Sequence, residues 1–155
     1  MRILVIFYSR SGNTRRVAEE INNSLDCDIE ELIDTQNRSG ALGYMRSIIH
    51  TMRKTPAILA EIKSDPSKYD LLIIGTPLWG GHVSTPVGTY IQQNQANFNN
   101  VAFFCTAGGE NFNGAFNDMQ ELCGASPAET LGLRAKEVKD GSYKLKVAEF
   151  AEKIQ

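Results

Sequence analysis

Uninterrupted apolar runs alternate with helical patterns along this chain. The runs from Arg2 to Phe7, from Tyr69 to Gly75 and from Val101 to Thr106 are almost wholly apolar at their centres, which is typical of strands buried on both faces of a sheet. The stretch from Asp28 to Ile33 is shorter and acidic, and it predicts an edge strand. A last, weaker strand is predicted from Ala128 to Arg134.

Helical spacing of apolar residues follows most of these runs. It predicts helices from Asn13 to Leu25, from Thr85 to Gln93, from the end of the 107–115 loop to Cys123, and from Lys144 to Ile154. In the last helix we expect Leu145, Ala148 and Ile154 to face inward. The long connection before Tyr69 predicts a helix through Leu42, Met45, Ile49 and Met52, and a short helix that Pro56 opens.

Five alternations of strand and helix predict an α/β fold, in which a parallel sheet carries helices on both faces. Residues 1–155 are expected to form a single domain. In such sheets ligands bind at the carboxyl ends of the strands, where the strand order reverses. The loops after strands one, three and four meet there, and all three contain glycine.

The first of these loops has the residues of an anion site. A buried strand is followed by Ser9, Ser11, Gly12 and Thr14 and then by the start of a helix. The first N–H groups of a helix have no partner within it, and the helix dipole favours an anion there. This pattern predicts a phosphate site, although a simple turn with a helix cap explains the same residues.

Charge and composition exclude several classes of function. The net charge of −2 argues against nucleic acid as a partner, and no apolar run reaches the roughly 18 residues that span a membrane. The cysteines (Cys27, Cys105 and Cys123) have no C-x-x-C spacing, so we expect reduced thiols in a cytoplasmic protein. No metal or catalytic cluster stands out, because His50 lacks a partner at metal spacing.

With the three loops in view, the chain resembles a short-chain member of the flavodoxin family over almost its full length. The turn S-R-S-G-N-T is similar to the T-x-T-G-x-T loop that binds the monophosphate of FMN in flavodoxins. The resemblance implies FMN as the cofactor and a flavodoxin-like three-layer sandwich with a five-stranded parallel sheet in the order 2-1-3-4-5. It assigns the phosphate to Ser9, Arg10, Ser11, Gly12, Asn13 and Thr14.

The second loop resembles the flavodoxin loop that places a tryptophan against the isoalloxazine ring and a glycine beside flavin N5. Trp79 and Gly80 would take these positions, and we favour this reading over core packing of the single tryptophan. In the family this peptide can flip, so that a carbonyl accepts the N5–H of the reduced flavin. The residues that the resemblance assigns are Thr76, Pro77, Leu78, Trp79, Gly80 and Gly81.

The third loop matches the flavodoxin loop whose backbone N–H groups bind the flavin pyrimidine ring, and it contributes Thr106, Ala107, Gly108 and Gly109. Many flavodoxins carry a tyrosine here that stacks on the outer face of the flavin, whereas this chain has Gly109. Phe112 is predicted to anchor the loop in the core. His82, at the end of the second loop, is expected either to contact the ring or a substrate or to be solvated.

Three functions fit these observations. The first is an FMN-binding electron carrier that serves a redox partner protein or a small quinone-like acceptor. The second is an FMN-dependent NAD(P)H:quinone-type reductase, which the absence of an aromatic residue at Gly109 favours. The third is a chain that keeps the fold without binding flavin. A monomer or a weak homodimer is expected in each case.

Overall fold

The computed structural model describes residues 1–36, 40–43, 45, 49 and 55–155. Five parallel strands lie side by side in the order β2-β1-β3-β5-β6, and a two-residue strand, β4, pairs antiparallel with β3. This is the predicted strand order, with β4 as an addition. The strands are β1 (Ile3–Phe7), β2 (Asp28–Glu31), β3 (Leu71–Trp79), β4 (His82–Val83), β5 (Asn100–Ala107) and β6 (Thr130–Arg134).

Helices cover both faces of the sheet, as predicted. They are α1 (Asn13–Leu25), α2 (Thr85–Asn94), α3 (Asn113–Cys123), α4 (Ala135–Asp140) and α5 (Tyr143–Ile154), with short 3₁₀ turns at Pro66–Lys68 and Gln95–Asn97. None of the helices in the described ranges is long and apolar enough to cross a membrane. Helix α4 was not predicted, because it is only about one and a half turns long.

Alternate residues of the strands build two separate cores. Val5, Ile73 and Phe104 pack against α1 and α5 on one face. Ile74 and Phe103, one position away on their strands, pack against α2 and α3 on the other face. Side chains of a strand alternate between the two faces of the sheet. Whether a residue stands at an odd or an even position of its strand therefore also decides which helix a polar side chain can reach.

The closing helix is present, but it is rotated relative to the prediction. Its buried residues are Tyr143, Val147, Phe150, Ala151 and Ile154. Leu145 is 75% exposed and Ala148 is also exposed, so of the three predicted inward residues only Ile154 is confirmed. The larger aromatic rings occupy the core, and the smaller apolar side chains on the outer side remain in solvent.

The segment after Pro56 is not the predicted short helix. It runs extended beside the end of β2, where the Thr35 N–H donates to the Ile58 carbonyl (3.1 Å) and the Ala60 N–H to the Ile33 carbonyl (2.8 Å). The Glu30 carboxylate of β2 accepts the N–H groups of Lys63 (2.7 Å) and Ser64 (2.8 Å).

These contacts hold the segment beside the chain that follows β2 and against the Glu30 side chain. Of the residues in the helix predicted before Pro56, the structure shows Leu42, Met45 and Ile49 as helical and exposed. Met52 and His50 lie outside the described residues, so the rest of that helix stays a prediction.

Candidate functional site

The turn after β1 leaves a row of backbone donors at the start of α1. Gly12 has φ +104°, a left-handed conformation in which glycine is favoured. The Gly12 N–H donates to the Ser9 hydroxyl (3.1 Å), and the Gly12 carbonyl accepts the first helical bond from the Arg16 N–H (3.1 Å). The three intervening N–H groups therefore point out of the helix end, as an anion site requires.

A pair of buried hydroxyls connects this turn to the third loop. Thr14 stands in the first turn of α1 and Thr106 near the end of β5, and their Oγ1 atoms are 2.8 Å apart. Thr14 is 1% exposed and Thr106 is 4% exposed. The parity of β5 places Thr106 on the face that α1 covers, two residues beyond Phe104. The predicted phosphate turn and the predicted third loop thus meet through one hydrogen bond.

The second loop is a tight β-hairpin. Leu78 pairs with Val83 and Trp79 with His82, so Gly80 and Gly81 are the two residues of the turn. Both have positive φ, +56° and +82°, as a type I′ turn requires. Two adjacent left-handed residues explain why the chain has two glycines here.

The hairpin is held against α3. A Cβ added to Gly114 would lie 1.9 Å from the Gly81 carbonyl oxygen, so only glycine permits this approach. One carboxylate oxygen of Asp118 accepts the Val83 N–H (3.1 Å) and lies 3.0 Å from Nδ1 of the exposed His82. Asp118 was not predicted as a site residue, because nothing in the local sequence indicates a contact that spans 36 positions.

The third loop presents two bare glycines. Gly108 and Gly109 are exposed, and a Cβ added to either would meet nothing within 4 Å. Phe112 does not cover them, because its ring lies against Gly132 of β6, 2.3 Å from where a Cβ would stand. Phe112 is half-buried, so it packs on the sheet as an anchor without being part of either core. Beside the loop, Arg134 and Glu110 form an ion pair at 3.0 Å.

Two residues assigned to the second loop have buried side chains that contact other parts of the protein. Thr76 is fully buried, and its hydroxyl accepts the Ser84 N–H (3.0 Å) at the start of α2. Trp79 is 1% exposed and meets Tyr8 edge to face, with 5.5 Å between ring centroids. The prediction that Trp79 stays outside the core is wrong, because β3 continues to Trp79 and buries its ring under the hairpin.

The remaining predicted residues gather at the carboxyl edge of the sheet. The exposed ones are Ser11, Gly80, Gly81, Gly108 and Gly109; the half-buried ones are Arg10, Gly12, Asn13, Pro77, Leu78 and Ala107; Ser9, Thr14 and Thr106 are buried. The edge therefore offers hydroxyls and backbone N–H groups at one end and uncovered glycine backbone at the other. This donor set fits an anionic group attached to a flat ring system.

A buried cysteine, Cys105, stands next to this edge. Burial raises the pKa of Cys105, next to Thr106, to about 12, so its thiol stays protonated. Across the described ranges, no three His, Cys, Asp or Glu side chains are grouped to hold a metal ion.

Comparisons with known proteins agree with this geometry. A family model described as Flavodoxin matches residues 2–131. The structure of a flavoprotein from Lactobacillus acidophilus NCFM in complex with FMN has 25% sequence identity and a TM-score of 0.74, over 91% of this chain and 98% of that one. No curated protein sequence matches the chain.

Two further structures show the same fold at lower identity. Oxidised Flavodoxin 2 from Bacillus cereus is 21% identical with a TM-score of 0.63, over 99% of this chain and 97% of the other. Two-electron reduced Megasphaera elsdenii flavodoxin is 16% identical with a TM-score of 0.59, over 99% of both chains.

Proposed function

The chain belongs to the flavodoxin family, and on that premise we propose that it binds FMN noncovalently and transfers electrons to a redox partner protein or a small quinone-like acceptor. The observation that carries this proposal is the joining of the anion-binding turn to the third loop through Thr14 and Thr106. That contact sets donors for a phosphate beside the loops that present uncovered glycines. FMN, when bound, supplies the redox chemistry.

The residues present fit this cofactor. The donors available to a phosphate are the N–H groups of Asn13, Thr14 and Arg15 and the hydroxyls of Ser9, Ser11 and Thr14. The glycines of the hairpin and of the third loop leave their backbone groups open to the ring system. Trp79 is buried and packs on Tyr8, so it supports the hairpin from below and does not offer its ring for stacking on the flavin.

One observation favours the reductase as a second candidate. Gly109 occupies the position where many flavodoxins carry a stacking tyrosine, and the space around it is open. Phe112, the nearest aromatic residue along the loop, packs its ring against Gly132 instead. A flavin bound here would keep one ring face free of aromatic cover from this loop, which leaves room for a nicotinamide donor.

The identity of the cofactor is the first test. Protein purified with its yellow chromophore is heated, and the released flavin is separated by chromatography. We expect FMN, and recovery of mainly FAD would refute the proposal. In the flavin-free protein, replacing Ser11 and Thr14 together with alanine should weaken FMN binding by about 3 kcal/mol or more, since each hydrogen bond to a charged group is worth roughly 1.5–3 kcal/mol.

A second measurement separates the carrier from the reductase. The FMN-loaded protein is titrated anaerobically with dithionite and, separately, mixed with NADH or NADPH, while the visible spectrum is followed. Two separate one-electron steps with dithionite and no reaction with the nicotinamides support the carrier. Rapid bleaching by NADH or NADPH supports the reductase and would overturn the carrier.

A further inference from the structure

Which of Thr14 and Thr106 donates the hydrogen bond between their hydroxyls depends on whether an anion is bound beside Thr14. A threonine hydroxyl has one proton to donate and two lone pairs to accept with. In the described part of the chain, the hydroxyl of each residue has only the other as its hydrogen-bond partner. Without an anion, either oxygen can therefore be the donor.

An anion at the start of α1 removes this ambiguity. Thr14 lies in the first turn of the helix, where the free N–H groups point outward. A phosphate oxygen only accepts hydrogen bonds, so the Thr14 proton turns toward it and the Thr14 oxygen is then left to accept. Thr106, at 2.8 Å, is the donor placed to fill that role. Donation in series polarises each hydroxyl and strengthens the next bond.

We infer that Thr106 positions the Thr14 hydroxyl for the phosphate of the flavin and thereby contributes to a preference for FMN over riboflavin. This inference rests on the FMN binding proposed above. Thr106 acts through Thr14, so it is a positioning residue, and its effect is confined to ligands that carry the phosphate. The third loop, where Thr106 lies, thus takes part in recognising both ends of the ligand.

The experiment compares two flavins on the same flavin-free protein. FMN and riboflavin are each titrated against the wild type, Thr106→Val and Thr106→Ser, and binding is followed by quenching of flavin fluorescence. Valine keeps the shape of threonine without its hydroxyl, whereas serine keeps the hydroxyl. Thr89→Val is the matched control, because Thr89 is a buried threonine of α2 whose hydroxyl accepts a single bond, the Ala57 N–H at 2.9 Å.

In Thr106→Val we expect FMN affinity to fall about three- to tenfold, the equivalent of one neutral hydrogen bond. Riboflavin affinity should stay within about twofold of the wild type. Thr106→Ser should restore most of the FMN affinity, and Thr89→Val should leave the ratio of the two affinities unchanged.

Equal losses for FMN and riboflavin in Thr106→Val would overturn the inference, since they would mean that the hydroxyl pair merely joins two loops. A wild type that binds the two flavins equally would also overturn it, while leaving flavin binding itself intact. A wild type that binds neither flavin would instead refute the proposed function and the inference with it. If Thr106→Val does not fold, Thr106→Ala removes the same hydroxyl with less bulk, and the same criteria apply.

Discussion

Trp79 contributes to the core, and this sets what its replacement will do. The ring is 1% exposed and packs edge to face on Tyr8. Removing a buried aromatic ring costs its transfer free energy and leaves a cavity, so Trp79→Ala should lower the free energy of unfolding of the flavin-free protein by about 3–5 kcal/mol. Denaturant unfolding measures this loss, and Trp79→Phe should recover part of it. Unchanged stability together with weaker FMN binding would instead mean that Trp79 contacts the flavin and does not stabilise the core.

Single residues also show where sequence reasoning stops. The residue types at positions 9–14 predicted an anion turn because they join a buried strand to the start of a helix, where backbone N–H groups are free, although a turn with a helix cap uses the same types. The sequence did not reveal that Thr14 meets Thr106, because 92 positions separate them. The sequence also did not reveal the bond of the Thr76 hydroxyl to the Ser84 N–H, because strand parity directs this side chain toward the start of α2.

Among the elements, the hairpin of β3 and β4 depends on α3 for its position. Asp118 accepts the Val83 N–H and faces His82. Asp118→Ala should leave that N–H without its acceptor, so the Val83 amide should exchange with deuterium faster, and the protein should lose about 1–3 kcal/mol of stability. Asp118→Asn, which keeps an oxygen acceptor, is the control and should retain most of the protection. Equal exchange in Asp118→Ala and the wild type would show that the Gly81–Gly114 contact alone holds the hairpin.

Helices and strands whose sequence pattern fits only one kind of element were predicted well. The bounds of α1 match the prediction at both ends, because a buried strand and a glycine turn precede it and an apolar stripe runs along it. The inner face of α5 was misjudged because Leu145 and Ala148 are apolar but lie away from the stripe of Tyr143, Val147, Phe150 and Ile154 that the core buries. The extended segment after Pro56 was mistaken for a helix because its spacing fits both patterns and only the contact with β2 decides.

At the scale of the whole molecule, the last strand and the last two helices are joined through Glu137. It is 8% exposed, accepts the Arg134 N–H at 2.9 Å, and pairs with Lys146 of α5. The hydrogen bond from Lys146 is the main reason that the pKa of Glu137 lies below its ordinary value. A carboxylate with a lowered folded pKa stabilises the protein above its unfolded pKa, near 4.3, and this contribution is lost as pH falls through the folded value.

Glu137→Gln should therefore reduce stability by about 1–2 kcal/mol at neutral pH, a figure that allows for screening because Lys146 is half exposed. The difference between wild type and variant should shrink as the pH is lowered below about 4. Unfolding free energies measured from pH 7 to pH 3 test this. A difference that is independent of pH would mean that Glu137 acts through packing rather than through its charge.

The contacts on the outer side of β2 have a consequence for the behaviour of many copies of this chain together. An open edge strand offers unpaired N–H and C=O groups to any extended peptide, including another copy. Here the segment after Pro56 pairs with the chain just beyond β2, and the Glu30 side chain of β2 fixes it through the N–H groups of Lys63 and Ser64. By fixing this segment, Glu30 makes the edge less open to pairing, so the tendency of the chain to aggregate at high concentration depends on a residue outside the three loops of the candidate site.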